Sequence, residues 1–262
     1  MRVNQIDVIK AKIAKGEMVY GSHINIADSS VTESLGMAGF DFLWVDWEHS
    51  AMDRQHIQSH LIAARAGGTA AFVRIPWNDP VLVKPILEMG PDGIVFPMIR
   101  TAGEARNAVK ATTYPPEGER GFGPRRANDY GLQSNVEYLS QADQGLWRIM
   151  QIEHVEAVRN LESILAVEGV DTIVIGPNDL SGSAGLLGQT RHPRIMELLD
   201  EIAEKCNKAG KPFGVSMGFV PETVEDYKRR GCSWMACGSD TGYIVDGGAA
   251  TLAGMRKIFE GK

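Results

Sequence analysis

The feature that most constrains the fold is an alternation of short apolar segments with longer segments that have helical periodicity. The apolar segments predict strands at about residues 18–24, 41–46, 70–75, 93–98, 147–152, 171–176, 212–216 and 233–238. Continuous apolar strands that alternate with helices indicate a parallel sheet covered by helices on both faces. Eight such units within 262 residues indicate a closed (β/α)8 barrel, the TIM barrel, rather than an open sheet.

The segments between the strands predict helices, several of which have recognisable ends. We expect helices at residues 53–66, 79–89, 101–111, 154–167, 194–209 and 221–230. Asp79 and Pro80 begin one of these helices and Gly90 ends it, while Gly210 follows another. No linker, low-complexity tract or clear repeat interrupts the pattern, so residues 1–262 are predicted to form a single domain.

Composition and charge argue against several classes of function. The net charge is −6 without a long run of Lys or Arg, so nucleic acid and membrane surfaces are not expected partners. The three cysteines lack CxxC spacing, which indicates neither a disulfide framework nor a zinc cluster. The N-terminus has no signal-peptide pattern, and no segment approaches the roughly 20 apolar residues that span a bilayer. We therefore expect a soluble, cytoplasmic protein.

One segment breaks the alternation. Residues 112–146 form a long Pro-, Gly- and Arg-rich stretch with room for one helix. Long loops in compact domains are usually functional or disordered. Because this segment falls between the fourth and fifth strands, we predict that it lies on the face where the barrel builds its active site.

Reactive side chains follow the predicted strands at the points where these strands end. They are His23, Asn25, Asp46, Glu48, His49, Arg74, Gln151, Glu153, Asn178 and Asp179. Catalytic groups in such barrels project from the C-terminal ends of the strands, so these side chains are expected to surround one site. Each one alone has an ordinary explanation, since any strand end meets solvent. The set together predicts a functional site.

Two carboxylates from neighbouring strands predict a metal site. Glu153 and Asp179 can hold a hard divalent cation through oxygen while leaving positions open for substrate and water. Such a cation polarises a carbonyl oxygen and stabilises an enolate. The alternative is that both residues only cap the helices that follow them. Oxygen ligands favour Mg²⁺ or Mn²⁺, although Co²⁺ and Zn²⁺ can enter such sites.

The remaining candidates are a cation, an acid/base pair and a loop. Arg74 could bind a keto or carboxylate oxygen, or it could form a structural salt bridge. His49 follows Asp46 by three residues, and a carboxylate bonded to one ring nitrogen would raise the basicity of the other. The backbone at Gly176 and Pro177 could receive a carboxylate at the N-terminus of a short helix.

Six segments occur in order along the chain: FDFLWVDWEHS, VRIPWNDP, VFPMIRTAGEAR, YPPEGERGFG, QIEHVEAVRNLESILAVEGVDTIVIGPNDLS and ACGSDTG. Together they resemble the class II pyruvate aldolases of the HpcH/HpaI family, which act on 2-dehydro-3-deoxy sugar acids and 4-hydroxy-2-oxo-heptanedioate. The resemblance covers about residues 18–240 and rests on the DxEH, QxE and GPxDL motifs. It implies a (β/α)8 barrel that assembles as a hexamer, a trimer of dimers, with the C-terminal helix exchanged between subunits.

The resemblance also implies which residues hold metal and pyruvate. Glu153 in QxE and Asp179 in GPxDL match the family's metal ligands. Pyruvate would chelate this metal through its carboxylate and keto oxygens. Arg74 matches the arginine that contacts the keto oxygen, and Gln151 matches a glutamine of the pocket. The backbone at Asn178 and Asp179 would hold the pyruvate carboxylate.

The catalytic histidine of the family is matched by His49, with Asp46 as its partner and Glu48 close by. The implied reaction is reversible cleavage of a 4-hydroxy-2-oxo acid to pyruvate and an aldehyde. The base would be a metal-bound water or hydroxide, relayed by His49 and Asp46, that removes a methyl proton from pyruvate, and the same relay would protonate the new alkoxide.

Three departures from the family pattern fall near the expected aldehyde end. His23 stands where typical members have Trp, Asn178 stands where many have Ala, and the loop reads GFGPRRANDYG. His23 and Arg125 are therefore candidate substrate-binding residues. Arg125 and Arg126 could bind a carboxylate or hydroxylated aldehyde, although arginines of a flexible loop are more often solvated. Ser216, at the end of the seventh predicted strand, is a further candidate.

Other readings of the same residues stay open. An oxaloacetate decarboxylase would need only the same metal site, whereas an acyl-CoA lyase would also need a surface for CoA. A Schiff-base aldolase would need a lysine at a strand end, but the lysines fall in predicted helices and loops. A catalytically silent barrel that binds a small acid is the alternative outside enzymes.

Overall fold

The computed structural model describes residues 5–261. Its eight strands form a closed parallel barrel in which each strand pairs with the next and β8 pairs with β1. The strands are β1 (Val19–Ile24), β2 (Phe42–Asp46), β3 (Ala70–Arg74), β4 (Gly93–Phe96), β5 (Trp147–Ile152), β6 (Thr172–Ile175), β7 (Phe213–Met217) and β8 (Trp234–Ser239). The predicted (β/α)8 barrel is confirmed, and each strand lies within two residues of its predicted bounds.

Helices cover the outside of this barrel. They are α1 (Ile6–Ala14), α2 (Ser30–Met37), α3 (Arg54–Ala66), α4 (Pro80–Leu87), α5 (Ala102–Thr112), α6 (Asn135–Ala142), α7 (Val155–Arg159), α8 (Leu161–Leu165), α9 (Pro177–Ser183), α10 (Pro193–Ala209), α11 (Pro221–Arg229) and α12 (Asp240–Glu260). A 3-10 helix spans Arg126–Gly131. The helix predicted at 154–167 divides at Asn160 into α7 and α8. Among residues 5–261, none of the helices has the length and apolar character needed to cross a membrane.

Aromatic rings fill the interior of the barrel below its polar mouth. One ring comes from each of β2, β3, β5 and β8: Phe42, Phe72, Trp147 and Trp234. Glycines on neighbouring strands make room for these rings, since a Cβ atom on Gly21 would lie 2.2 Å from Phe42 and one on Gly214 would lie 2.2 Å from Trp234. Because side chains alternate with a period of two, the same inward face continues to polar residues at the strand ends. These are His23, Asp46, Arg74, Gln151 and Ser216.

The outward faces of the strands pack against the helices and form the larger apolar core. Leu43 and Ile94 on strands and Leu61 on α3 belong to this layer, and each is buried. Full burial of such a side chain contributes about 1.5–3 kcal/mol. Two apolar layers, one inside and one outside the sheet, therefore hold each strand in a fixed register.

The segment 112–146 lies at the end of the barrel where the strands begin. Arg126 donates a hydrogen bond to the Met89 carbonyl at 2.7 Å, and the Ala127 N–H donates to the Glu88 carbonyl at 3.1 Å. Both carbonyls precede β4. The prediction that this segment lies on the active-site face was wrong. It follows helix α5, which has already returned the chain to the opposite end of the barrel.

The C-terminal helix α12 is exposed along its length apart from Asp240 and Gly242 in its first turn. Its apolar side chains face outwards, with Ile244 60% and Phe259 86% exposed. The start of the helix is fixed, because the Asp240 carboxylate accepts hydrogen bonds from the N–H groups of Asn25 and Ile26 at 2.9 Å each. The helix is anchored at one end and exposes an apolar surface of the kind that another chain covers.

Candidate active site

A buried arginine and two carboxylates form the first group at the mouth of the barrel. The Nε and second terminal nitrogen of Arg74 donate to the two carboxylate oxygens of Asp46 at 3.0 and 2.5 Å. The other terminal nitrogen is 3.1 Å from the Glu48 carboxylate. Burial alone would raise the pKa of Asp46, but the hydrogen bonds and positive charge of Arg74 outweigh it and lower that pKa. Asp46 therefore holds the guanidinium in one orientation.

Cross-strand register explains this pairing. Asp46 and Arg74 lie directly opposite each other in the β2–β3 ladder. The guanidinium of Arg74 also packs over the ring of Trp44, 5.4 Å from its centroid. Arg74 is only 8% exposed, so its free edge is directed by these neighbours rather than by solvent.

His49 lies beyond the end of β2 and does not have the predicted partner. Asp46 accepts hydrogen bonds from the backbone N–H groups of Glu48 and His49, at 3.0 and 3.3 Å, and both its oxygens face Arg74. The His49 ring instead places Nε2 3.6 Å from the Glu48 carboxylate, and its side chain is 65% exposed. The prediction that Asp46 orients this ring was wrong, because Arg74 and the backbone already occupy that carboxylate. Glu48 is the acid beside the ring.

Glu153 is a buried carboxylate of the site, at 3% exposure, the same as Asp46. One of its oxygens accepts a hydrogen bond from the Met98 N–H at 2.7 Å, and the other accepts one from the Gln151 amide nitrogen at 2.5 Å. Met98 reaches this carboxylate with a φ of 56°, a strained left-handed conformation for a residue with a side chain. The amide oxygen of Gln151 is buried and has no hydrogen-bond partner among residues 5–261. A buried acceptor of this kind is available to a bound ligand.

Gly176 lets the next loop approach these groups. A Cβ atom on Gly176 would lie 2.8 Å from the Glu153 carboxylate and 3.1 Å from the Gln151 amide nitrogen, so a side chain there would displace these groups. Helix α9 begins immediately after it with Pro177. Asn178 and Asp179 occupy the first turn of α9 and are exposed at the mouth. The structure thus brings the Asp179 loop next to Glu153.

Like charges accumulate at this point. Burial raises the pKa of Glu153 to about 7, and the charges of Asp179 and Glu48 add to the rise while the Met98 N–H and Arg74 oppose it. Burial likewise raises the pKa of Glu48 to about 6, with Arg74 opposing and Asp46 and Asp179 assisting. Neighbouring carboxylates that resist ionisation are stabilised by a bound cation.

The donor set fits a hard divalent cation. The carboxylates of Glu153 and Asp179 and the unpaired oxygen of Gln151 are all oxygen ligands. Within the described part of the chain, no group of three or more His, Cys, Asp or Glu side chains forms a complete metal site. A cation held here would therefore complete its coordination with oxygens of substrate or water.

The other predicted substrate-binding residues separate into two groups. His23 and Ser216 both face the mouth and are hydrogen-bonded to each other, with 2.8 Å between Nε2 and Oγ. Arg125 is exposed at the opposite end of the barrel and donates to the Pro124 carbonyl at 3.3 Å. Arg125 therefore does not reach the mouth of its own barrel, and any contact with substrate would require the barrel of another subunit.

Two residues of the site were missed from the sequence. Met98 supplies a backbone N–H to Glu153, and Trp44 supplies the ring under Arg74 and His23. The Met98 contact depends on backbone conformation, which carries no sequence signal when the residue is not glycine. Trp44 could have been found, because it lies two residues before Asp46 on the same inward face of β2.

Fold and site together define the class of (β/α)8 barrels whose site, at the C-terminal end of the strands, is built from oxygen ligands. The chain belongs to the HpcH/HpaI aldolase/citrate lyase family, whose model matches residues 20–246. It is 36% identical over 257 residues to the 4-hydroxy-2-oxo-heptane-1,7-dioate aldolase of Salmonella paratyphi C, covering 97% of each chain. It is 34% identical over 253 residues to the hydroxypyruvate/pyruvate aldolase of Roseobacter denitrificans, covering 95% of this chain and 96% of the other. Among solved structures, an HpcH/HpaI aldolase/citrate lyase family protein from Burkholderia cenocepacia superposes with a TM-score of 0.90 at 29% identity, over 96% of this chain and all of the other.

Proposed function

We propose that this chain is a divalent-metal-dependent pyruvate aldolase that reversibly cleaves a 4-hydroxy-2-oxo acid to pyruvate and an aldehyde. The observation that carries the proposal is the buried Glu153 carboxylate, crowded by other carboxylates and next to the unpaired oxygen of Gln151. The aldolase names of the relatives support the same reaction. A site of this kind binds an oxyacid together with a cation.

Glu153 and Asp179 would hold the cation, for which the all-oxygen donor set favours Mg²⁺ or Mn²⁺ and also admits Co²⁺ or Zn²⁺. When bound, this cation polarises the keto group of pyruvate and stabilises the negative charge that develops on it. The backbone N–H groups of Asn178 and Asp179, in the first turn of α9, would hold the carboxylate of the keto acid.

Arg74 would contact the keto oxygen of pyruvate and neutralise part of its charge. Its orientation is set by the two hydrogen bonds from the guanidinium to Asp46. Asp46 is therefore a positioning residue for Arg74, which is a different role from the relay that the sequence suggested. A preoriented cation costs little reorganisation during the reaction and is most effective for that reason.

Proton transfer is assigned to His49 and Glu48. Their side chains lie 3.6 Å apart at the edge of the mouth, and the pKa of about 6 of Glu48 is suited to exchanging a proton near neutral pH. The pair would accept a methyl proton from pyruvate in the condensation direction and return it to the alkoxide of the aldol product. Cleavage uses the same pair in the reverse order.

We also propose that the protein is a hexamer in which α12 is exchanged between subunits. The exposed apolar side chains of α12, among them Ile258 at 79% and Phe259 at 86%, support a partner on this helix. Light scattering should then give a mass near six times the 28.6 kDa of one chain. A monomeric mass would contradict the exchange.

The central step can be tested by exchange of the pyruvate methyl protons in D2O, followed by NMR. Wild-type protein supplied with Mg²⁺ or Mn²⁺ should exchange them, and both chelator and Glu153→Ala should abolish the exchange. Glu162→Ala removes an exposed carboxylate on α8 and is the matched control. Folded, metal-supplied wild type that shows no exchange would favour a catalytically silent barrel that binds a small acid.

A further inference from the structure

A histidine–serine pair joins β1, β7 and β8 at the mouth of the barrel. The Nε2 atom of His23 is 2.8 Å from Oγ of Ser216, and the Nδ1 atom is 2.8 Å from the carbonyl oxygen of Gly238. The ring of His23 also contacts the ring of Trp44, with 5.4 Å between centroids. Because Arg74 packs over the same indole, the pair lies beside the proposed contact with pyruvate.

Both side chains face the interior of the barrel. Gly21 and Gly214 face the interior rings Phe42 and Trp234, and His23 and Ser216 lie two residues further along the same strands. In the ladder between β6 and β7, Val215 pairs with Ile175, which immediately precedes Gly176. Ser216 is thereby placed next to the loop that carries Asp179.

The Gly238 carbonyl determines the direction of the hydrogen bonds in this pair. A carbonyl oxygen can only accept, so Nδ1 of His23 carries a proton and donates it. Burial lowers the pKa of His23 and outweighs the hydrogen bond to Gly238, which acts to raise it. Burial therefore keeps the ring neutral. The Nε2 atom of a neutral ring with a proton on Nδ1 is an acceptor. Ser216 therefore donates its only hydroxyl proton to His23.

The oxygen of Ser216 is left with lone pairs and no proton for a bound molecule. It can accept a hydrogen bond from a donor such as a hydroxyl group. Toward a carbonyl or carboxylate oxygen it presents only lone pairs, so that contact is repulsive. The pair is thus a polarised acceptor built into the wall of the site. Its chemical preference is opposite to that of an ordinary serine, which can rotate to donate.

We propose that Ser216, held by His23, accepts a hydrogen bond from a substrate hydroxyl group and selects hydroxylated substrates over otherwise identical ones that lack it. The inference rests on the proposed aldolase function and assigns a specificity to it. Ser216 is the contacting residue and His23 is the positioning residue. Two substrates could supply the hydroxyl: the aldehyde, next to its carbonyl carbon, or the keto acid, as hydroxypyruvate in place of pyruvate.

The test is a pair of ratios of kcat/KM measured in the condensation direction. The first compares glycolaldehyde with acetaldehyde, each with pyruvate. The second compares hydroxypyruvate with pyruvate, each with the same aldehyde. Within one variant each ratio cancels changes common to both substrates, such as altered metal loading. We expect wild type to favour the hydroxylated member of one pair, and the pair affected identifies the source of the hydroxyl.

Ser216→Ala should lower that preference about tenfold, the effect of losing one well-made hydrogen bond. His23→Leu should lower it by less, because the freed Ser216 hydroxyl can still bond to a substrate hydroxyl but is no longer held in one orientation. His23→Gln retains one donor and one acceptor on a side chain of similar reach and should restore part of the preference. A merely structural role of His23 would not place the preference of His23→Gln between those of wild type and His23→Leu.

Thr32→Val is the matched control, since Thr32 belongs to a second buried hydroxyl–histidine pair, with 2.7 Å between its hydroxyl and Nδ1 of His60, which joins α2 and α3 outside the barrel interior. It should keep the wild-type ratios. Ratios in Ser216→Ala within twofold of wild type in both pairs would overturn the role of Ser216 while leaving the aldolase intact. Wild type that condenses no aldehyde with either keto acid would overturn the proposed function, and the inference with it.

Discussion

Two buried arginines, one at each end of the barrel, have opposite kinds of surroundings. Arg148, at the start of β5, donates to the Thr112 hydroxyl at 2.7 Å, contacts Asp143 and lies 3.6 Å from Asp171. Thr112 ends α5, Asp143 follows α6 and Asp171 precedes β6, so the guanidinium ties separate elements together. Arg74, at the end of β3, is surrounded by more carboxylates than it can neutralise.

The difference between these two clusters separates a structural role from a functional one. The Arg148 cluster is closed, because its charges and hydroxyls satisfy one another within the chain. The mouth carries crowded carboxylates, a strained residue at Met98 and the unpaired oxygen of Gln151. Such arrangements lower stability and persist where a ligand completes them. Substitutions at the two ends should therefore act on different quantities.

The largest effect is expected for Glu153→Gln, which should lower kcat/KM by about a thousandfold or more because a metal ligand is lost. The fold should tolerate it, since the Gln151 amide can turn and offer its unpaired oxygen to the new side chain. The pKa of Glu153 is raised to about 7, so its ionisation destabilises the folded state as the pH rises from about 4.5 through 7. In metal-free protein at pH 8, the variant should thus be more stable by about 1–3 kcal/mol. Urea titration measures the free energy of unfolding, and steady-state kinetics measure kcat/KM. A loss of stability at pH 8 would contradict the contrast between the Arg74 and Arg148 clusters.

At the other end, Arg148→Met should lower the free energy of unfolding by about 3 kcal/mol. It leaves the buried side of Asp171 without its cation, whereas the metal site is untouched. Activity per folded molecule should stay at the wild-type value when measured below the unfolding transition. Arg106→Met, at an exposed position of α5, is the control and should change neither quantity. A loss of activity per folded molecule in Arg148→Met that is absent from Arg106→Met would show that this end of the barrel also serves the reaction.

A smaller effect is expected for Gly176→Ala. Its Cβ atom would press on the Glu153 carboxylate and the Gln151 amide, so these groups must shift by a few tenths of an ångström or more. Displaced groups around a metal typically cost about tenfold to a hundredfold in affinity. Calorimetric titration with Mn²⁺ measures it. Gly123→Ala has open space around its Cβ and should bind metal like wild type.

The smallest change is in the pH profile. With the pKa of Glu48 raised to about 6, protonation below that pH removes the proton acceptor, so kcat/KM should rise about tenfold per pH unit up to about pH 6 and then level off. Glu48→Gln should lack this limb at a lower overall rate. An unchanged limb in that variant would assign the titration to another group of the mouth.

The strands were predictable because each one is an apolar segment with clear ends, and the polar residues after them were predictable as a set. The partner of Asp46 was not. Spacing along the chain favoured His49, three residues away, but the β2–β3 register places Arg74 directly opposite Asp46. Register arises from packing across the whole barrel, which local sequence does not encode.

Two other features needed the structure for different reasons. The segment 112–146 was assigned to the wrong end because the prediction counted strands and ignored that α5 precedes the segment. Helix α12 contains Gly247, Gly248 and Gly254, which are poor helix formers, so its local sequence does not favour a helix of 21 residues. In the proposed hexamer, contacts with a neighbouring subunit rather than helix propensity would stabilise it.

The first turn of α12 would make the activity of the proposed hexamer depend on protein concentration. Asp240 binds the backbone just after β1, and Tyr243 is hydrogen-bonded to Ser22, the residue before His23. A neighbouring subunit that binds α12 would therefore also stabilise the wall of the active site beside His23. If the subunits of the proposed hexamer separate on dilution, that wall loses its support, so specific activity should fall at low protein concentration. Full activity would thus require the assembled protein, and an assay at nanomolar protein would underestimate the specific activity.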